Sequence, residues 1–276
     1  MSTDQAPEDR YHVPALARGL QLLTQFNREQ RELSGAELSR RLGLPRASVF
    51  RMLCTLEQAG FLERSPDGIN YKLGLGVLRL GFELLASMEL TELGRPVIEE
   101  LRERSGHSAH LVVRDGREVV FVAKVPGRNA MFHSIQVGAR LPAHATVLGR
   151  VLLADLSPAE LAALYQDRTL SAYTPMTPTT LAELSARIAE DRARGYGVSM
   201  GGYETGISSI AAPVLDAQGR VVAAVSISMP HERIDEAQLA PLVEAVCAAA
   251  RQMNERLRHQ PDRGQWSARP STRKAA

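Results

Sequence analysis

Residues 197–201 read GVSMG and fit the G-x-S-x-G spacing of a hydrolase nucleophile elbow, with Ser199 as the attacking group. Asp216 and His231 follow in the chain order of a triad. An elbow needs a strand before the serine and a helix after it. Here Ser199 runs into MGGYETG, whose three glycines describe a loop, and only 77 residues remain for the missing strand–helix units and both partners. Ser199 is therefore expected to line a binding pocket, and no catalytic residue is assigned. His107 and His110, three apart, suggest a metal pair, but no cysteine or carboxylate joins them at ligand spacing. They read as packed or surface histidines, and no metal is expected. His144, in LPAHAT, either hydrogen-bonds a ligand or caps the next helix. There is no P-loop and no G-x-G-x-x-G after a strand, so no cofactor is expected. Cys54 and Cys247 lie far apart in apolar helical patterns and read as buried free thiols of a reducing cytoplasm.

These residues sit in a chain of 276 residues, 44% hydrophobic and 23% charged, an ordinary soluble composition with room for two modest domains. No apolar run is long enough to span a bilayer, and the polar, acidic start MSTDQAPEDR is not a secretory signal. The net charge of +2 is unevenly spread. Residues 11–73 carry nine Lys/Arg against six Asp/Glu, and residues 74–257 carry 18 against 21. The tail from 258 carries five against one. A basic front module before an acidic body points to a polyanion partner for the front. Residues 1–10 and 259–276, the latter holding Trp266, read as a disordered arm and a disordered basic tail.

The front module spans residues 12–74. Its first helix is expected to carry Leu16, Leu20, Leu23 and Phe26 on one stripe. SGAELSRRLGL opens a second helix with Ser34 and Glu37 at capping-box spacing and closes it at Gly43. A third helix starts at Pro45 and runs to Gly60. It puts Val49, Leu53 and Leu56 on one face and Arg46, Ala47, Phe50 and Arg51 on another. Two short strands joined through Asp67-Gly68 complete a winged helix-turn-helix. In such a module the N-terminal residues of the second helix of the pair meet base edges in the major groove. Arg46 and Ser48 are placed to do so, with Arg51 one turn further on. Arg64 and Lys72 flank the hairpin and suit phosphate contacts from a wing.

Residues 75–90 form a linker helix with Leu75, Leu78, Phe82 and Leu85 as a short apolar seam. Such a helix joins two protomers, and a dimer suits paired half-sites on duplex DNA. Residues 91–258 alternate hairpins with helices, which indicates an α+β domain on an antiparallel sheet, of GAF or PAS type. One amphipathic helix carries Leu93, Val97 and Leu101. Strands are expected on both sides of Asp115-Gly116, over MFHSIQVG, and in a final hairpin around AQGR. Ser226 and Ser228 alternate on one face of a strand. They either hold a ligand or satisfy nearby backbone groups. Free N–H groups at the helix start near Thr146 are a further anchor for a carboxylate.

The blocks ALARGLQLL, LSGAELSRRLGLPRASVFRMLCTLEQAGFL, YKLGLGVLRLG, VGARLPAHATVLGRVLLA, RGYGV and GISSIAAPVLDAQGRVVAAVSIS occur in order over residues 12–258. Together they resemble the IclR family of bacterial transcription regulators. The resemblance implies a winged helix-turn-helix, a linker helix and a GAF-like effector domain, in a dimer or dimer of dimers. It implies repression or activation of genes, often for the catabolism of small organic or aromatic acids. It places the effector in a cup of the sheet lined by His133, Val147, Leu148, Ser199, Ile207, Ser209, Ser226 and Ser228, with His144 alongside. Where many relatives carry an acidic cluster, this chain reads SMGGYETG, leaving Glu204 as the only acid. Less negative charge and more room favour a small or aromatic carboxylate.

Overall fold

The computed structural model describes residues 12–27, 29–87, 89–128, 135–166, 169–230 and 234–258. The proposed arm, the tail with Trp266, His133 and His231 lie outside these residues. The chain divides into two units, Met1–Ser87 and Met88–Ala276.

In the first unit a helix α1 (Pro14–Leu23) leads to a two-residue strand β1 (Leu33–Ser34). Ser34 then starts α2 (Gly35–Leu42) by accepting the Glu37 N–H at 3.2 Å, and Gly43 ends it at φ 63°. The expected capping box is only half built, because the Glu37 carboxylate turns to Arg40 and Arg41 instead. Helix α3 (Arg46–Gln58) packs Val49 and Leu53 inward, and a hairpin of β2 (Leu62–Arg64) and β3 (Asn70–Leu73) follows. Asp67 ties its turn by accepting the N–H groups of Ile69 and Asn70. The strand order is β1-β3-β2, so the wing holds a third strand that two residues of sequence do not announce. The core is Leu22, Phe26, Leu33, Leu38, Val49, Leu53, Leu62 and Tyr71.

The stripe expected on α1 is corrected. Leu23 and Phe26 pack in or against the core as expected, but Leu16 and Leu20 are 62% and 55% exposed, and Leu22 takes the core position instead. Two apolar stripes compete on this helix, and only one meets α2 and α3. Helix α4 (Leu75–Ser87) belongs to this unit. Its start is clamped to the end of α3. The Gly76 N–H donates to the Gly60 carbonyl at 2.9 Å, and a Cβ at Gly74 or Gly76 would meet that oxygen at 2.5 or 2.6 Å. Leu75, Leu78, Leu80 and Leu84 of α4 are exposed. The side chains of Phe82 and Leu85 lie outside the described set.

The second unit is a six-stranded antiparallel sheet in the order β6-β5-β4-β9-β8-β7. Its strands are β4 (Ser108–Asp115), β5 (Glu118–Val125), β6 (Arg140–Pro142), β7 (Gly197–Met200), β8 (Ser208–Leu215) and β9 (Val221–Met229). The strand expected over MFHSIQVG is corrected. Of that stretch, 135–138 are described and are not strand, and the pairing falls to Arg140–Pro142. Helices α5 (Glu89–Ser105) and α9 (Glu236–Arg258) cover one face. There Val97 and Leu101 are buried, and Gly94 makes room for Leu111 and Met253. Helix α6 (Val147–Leu153) covers the other face, joined by α7 (Pro158–Tyr165) and α8 (Leu181–Arg194). Burial on both faces is what lets β4 and β9 read as continuous apolar runs. No described helix is long and apolar enough to cross a membrane. Cys54 and Cys247 are free thiols, half-buried rather than fully buried.

Helix α6 lies so close to the preceding turn that a Cβ at Gly149 would fall 2.0 Å from the Ala143 carbonyl oxygen. Gly149→Ala must displace backbone on one side or the other. A loss of about 1–3 kcal/mol is expected from overpacking, to be read as a lower urea midpoint at unchanged slope. An unchanged midpoint would mean that the α6 contact is looser than described.

Candidate functional site

Pro45 sets the N-terminal boundary of α3 at φ −58°, and Gly43 gives the turn that separates it from α2. The helix therefore presents Arg46, Ala47, Phe50 and Arg51 to solvent, with Ser48 half-buried in the first turn. Arg40 and Arg41 share the single carboxylate of Glu37, and Arg64 pairs with Glu57 at 3.1 Å. The side chains of Arg46 and Arg51, in contrast, have no ion-pair partner among the described residues. Arg64 also lies 5.0 Å over the Tyr71 ring, and Lys72 pairs with Glu63 at 3.3 Å. Both wing cations are thus engaged within the unit, while the two α3 arginines are available to an anion.

In the second unit a cavity of about 650 Å³, its mouth included, opens between the sheet and α6. Strand register builds its floor. Ser108, Ser228, Ser209 and Ser199 are cross-strand neighbours over β4, β9, β8 and β7. The next row on the same face is Lys124, His110, Ser226, Ala211 and Gly197, over β5, β4, β9, β8 and β7. Cross-strand partners share a face and residues two apart do too. The Ser108 hydroxyl accepts the Gly127 N–H. Among the described residues, the side-chain hydroxyls of Ser199, Ser209, Ser226 and Ser228 make no hydrogen bond. Val147, Leu148, Phe121 and Ile207 supply apolar walls. Apolar walls with a few convergent polar groups are the usual make-up of a small-molecule site.

Of the lining proposed from sequence, Val147, Leu148, Ser199, Ile207, Ser209, Ser226 and Ser228 come together here. His144 does not line the cavity: its Nε2 pairs with the Ser171 carbonyl at 3.0 Å, and it is packed near Tyr165 and Tyr173. Nor does it cap α6, whose Gly149 N–H is taken by Thr146 Oγ1. That bond takes one of the donors at the start of this seven-residue helix. The loop after β7 closes one side. Thr174 and Thr177 hydroxyls donate to the Gly201 and Gly202 carbonyls, and Tyr203 stacks 4.9 Å from Tyr173. Gly202 lies where a Cβ would meet Ser199 Oγ at 2.5 Å. His110, expected only as a packed or surface histidine, is packed and also lines the cavity. It is 3% exposed, and its Nδ1 has no hydrogen-bond partner among the described residues. Burial and the charge of Lys124 push its pKa down to about 3. Among the described residues no group of three or more His, Cys, Asp or Glu could hold a metal ion.

The elbow geometry is absent. Ser199 lies in β7 and is followed by a loop and β8, not by a helix. Asp216, seven residues beyond the Ser209 that faces Ser199, is roughly 20 Å away along the strand. It is bound to Arg220 at 2.8 Å. Under the sheet edge, buried Arg150 of α6 bonds Asp191 of α8 at 2.7 Å and the Val198 carbonyl of β7 at 3.0 Å.

Two family models match the chain, the second of them beginning within α4. Residues 15–66 match the IclR helix-turn-helix domain, and residues 82–255 match the bacterial transcriptional regulator IclR C-terminal domain. The chain is 33% identical over 228 residues to the HTH-type transcriptional regulator XynR of Escherichia coli (strain K12), covering 83% of this chain and 90% of that one. An IclR transcriptional regulator from Alicyclobacillus acidocaldarius aligns at TM-score 0.79 and 25% identity, over 89% and 99% of the two chains. An IclR homolog from Microbacterium hydrocarbonoxydans, complexed with 4-hydroxybenzoate, aligns at TM-score 0.77 and 27% identity, over 88% and 98%.

Proposed function

The chain belongs to the IclR family of bacterial transcriptional regulators, and from that premise we propose that it reads its operator through α3 and releases or grips it in response to a small carboxylic acid held on the sheet. The family makes it a DNA-binding regulator rather than an enzyme. The observation that carries the ligand reading is the group of four serine hydroxyls, from three strands, that face the cavity without a partner among the described residues. Hydroxyls without partners in an apolar recess favour a ligand with several acceptor oxygens, and a carboxylate offers two. Glu204, on an exposed loop, is the one acidic lining residue. Arg46, Ser48 and Arg51 meet bases in this reading, Ala47 and Phe50 give apolar contact, and Arg64 and Lys72 reach phosphates by leaving their glutamates. The exposed leucines Leu75, Leu78, Leu80 and Leu84 of α4, with Leu16 and Leu20 of α1, suit a homodimer interface.

The test is a calorimetric titration of the full chain with a panel of monocarboxylic acids, 4-hydroxybenzoate first because the Microbacterium homolog holds it. The hit is then added to the protein bound to duplex from upstream of its own gene. Ser226→Ala with Ser228→Ala is expected to weaken acid binding by about 1.5–3 kcal/mol for each hydrogen bond lost to the charged group. Binding of a neutral or cationic compound with silence toward every acid would defeat the carboxylate reading.

A further inference from the structure

Resting on the carboxylate reading of the same cavity, we propose that His110 is its anion-recognition group: the effector's carboxylate settles against the imidazole, and one proton enters with it and is shared between the two. An anion bound in a recess needs a counter-charge or hydrogen-bond donors. Among the described residues no lysine or arginine lines the cavity, and its only charged lining residue, Glu204, has the wrong sign. The nearest cation by register is Lys124, across from His110 on β5, and its ammonium donates to the Ile135 carbonyl at 2.7 Å. His110 is thus the one described group of the lining that can become a cation.

Its surroundings fit that role. Ser226 is its neighbour on β9, and the Phe121 ring lies edge-on at 5.4 Å. From α6 and its cap, Thr146, Val147 and Leu148 face the same space, and the loop after β7 adds Tyr203 and Glu204. Lys124 and Glu204 are the charged groups near it, one on each side of neutrality. A buried ring nitrogen with no partner is rare in a native fold and calls for a ligand. In the empty cavity, burial and Lys124 keep the ring neutral down to about pH 3. A carboxylate reverses the balance by supplying the missing counter-charge. The proton affinity of the site is therefore low when empty and high when filled. In the pH window between those two values, binding takes up one proton, and affinity for the anion falls about tenfold for each unit of rising pH.

The experiment is calorimetry of the full chain with 4-hydroxybenzoate at pH 6, 7 and 8, in buffers of two ionisation enthalpies, with the uncharged 4-hydroxybenzamide in parallel. The wild type is expected to take up close to one proton and to bind about tenfold more weakly per pH unit. His110→Gln keeps a hydrogen-bonding group and is expected to bind with no proton uptake and a flat pH profile. Wild-type binding that is flat in pH removes His110 and leaves the carboxylate reading standing. Uptake that persists in His110→Gln puts the proton on the acid alone and also removes it. Binding of the amide in place of the acid, or of no acid in the panel, takes down the carboxylate reading and His110 with it. Should His110→Gln fail to fold, His110→Asn takes its place, with the same expected loss of proton uptake and the same overturning result.

Discussion

Arg46→Ala with Arg51→Ala is expected to remove selective operator binding while leaving the fold and the ligand response intact. Each lost base contact costs about 1–3 kcal/mol. The pair together then lowers specific affinity by about thirtyfold at the least and by more than a thousandfold at the upper end. The prediction is sharp because both side chains lie on the solvent face of α3 and have no ion-pair partner to lose among the described residues. Exposed substitutions of this kind change stability by no more than about 0.5 kcal/mol. Anisotropy with operator and scrambled duplex at two salt concentrations separates the outcomes. Loss of the operator preference with a small change in salt slope marks base contacts. A uniform loss on both duplexes marks phosphate contacts. Unchanged operator affinity would take α3 out of the groove.

Asp191→Ala is expected to be the most damaging single change in the second unit. Arg150 and Asp191 are 4% and 3% exposed, and Arg150 also holds the Val198 carbonyl. Burial draws the Arg150 guanidinium below its ordinary value, and Asp191 opposes that. Removing the carboxylate leaves a buried charge uncompensated, at a cost of about 3–5 kcal/mol. For a unit of this size that is a fall of roughly 6–20 °C in melting temperature. Arg194 donates to the second carboxylate oxygen at 2.8 Å, so it too loses its anchor. Replacing Arg150 and Asp191 together by apolar residues of similar volume should recover most of the loss, because the pair costs much to desolvate. A single variant that melts within a few degrees of wild type would mean that water reaches the guanidinium.

Local periodicity made much of this legible. Val49 and Leu53 against Arg46 and Phe50 is a helix with one dry side, and any helix packed on one side shows it. The Asp67-Gly68 turn announced the wing. Ser226 and Ser228, two apart in a strand, pointed to one face of the sheet. What escaped depends on pairing across long stretches of chain. Spacing left His110 as a packed or surface histidine, whereas the register brings it beside Ser226, more than a hundred residues away. The stripe on α1 was ambiguous because Leu16, Leu20, Leu22 and Leu23 can fill either of two faces, and only the packing of α2 and α3 chooses. Strands β1 and β7 are too short to alternate visibly. Arg150 left one trace that could have been read: a lone arginine in the apolar run VLGRVLL needs a buried acid. Nothing local says that the acid is Asp191.

The glycines that begin α4 have a mechanical meaning. With Gly74 and Gly76 pressed on the Gly60 carbonyl, the joint between α3 and α4 has no room for a side chain and is tied by a backbone hydrogen bond. A helix of 13 residues is about 20 Å long. A tilt of ten degrees, gripped at its far end, therefore corresponds to a displacement of only about 3–4 Å there. On the proposed reading of the operator through α3, a joint that transmits this tilt would turn the first turn of α3 by the same angle and weaken its base contacts.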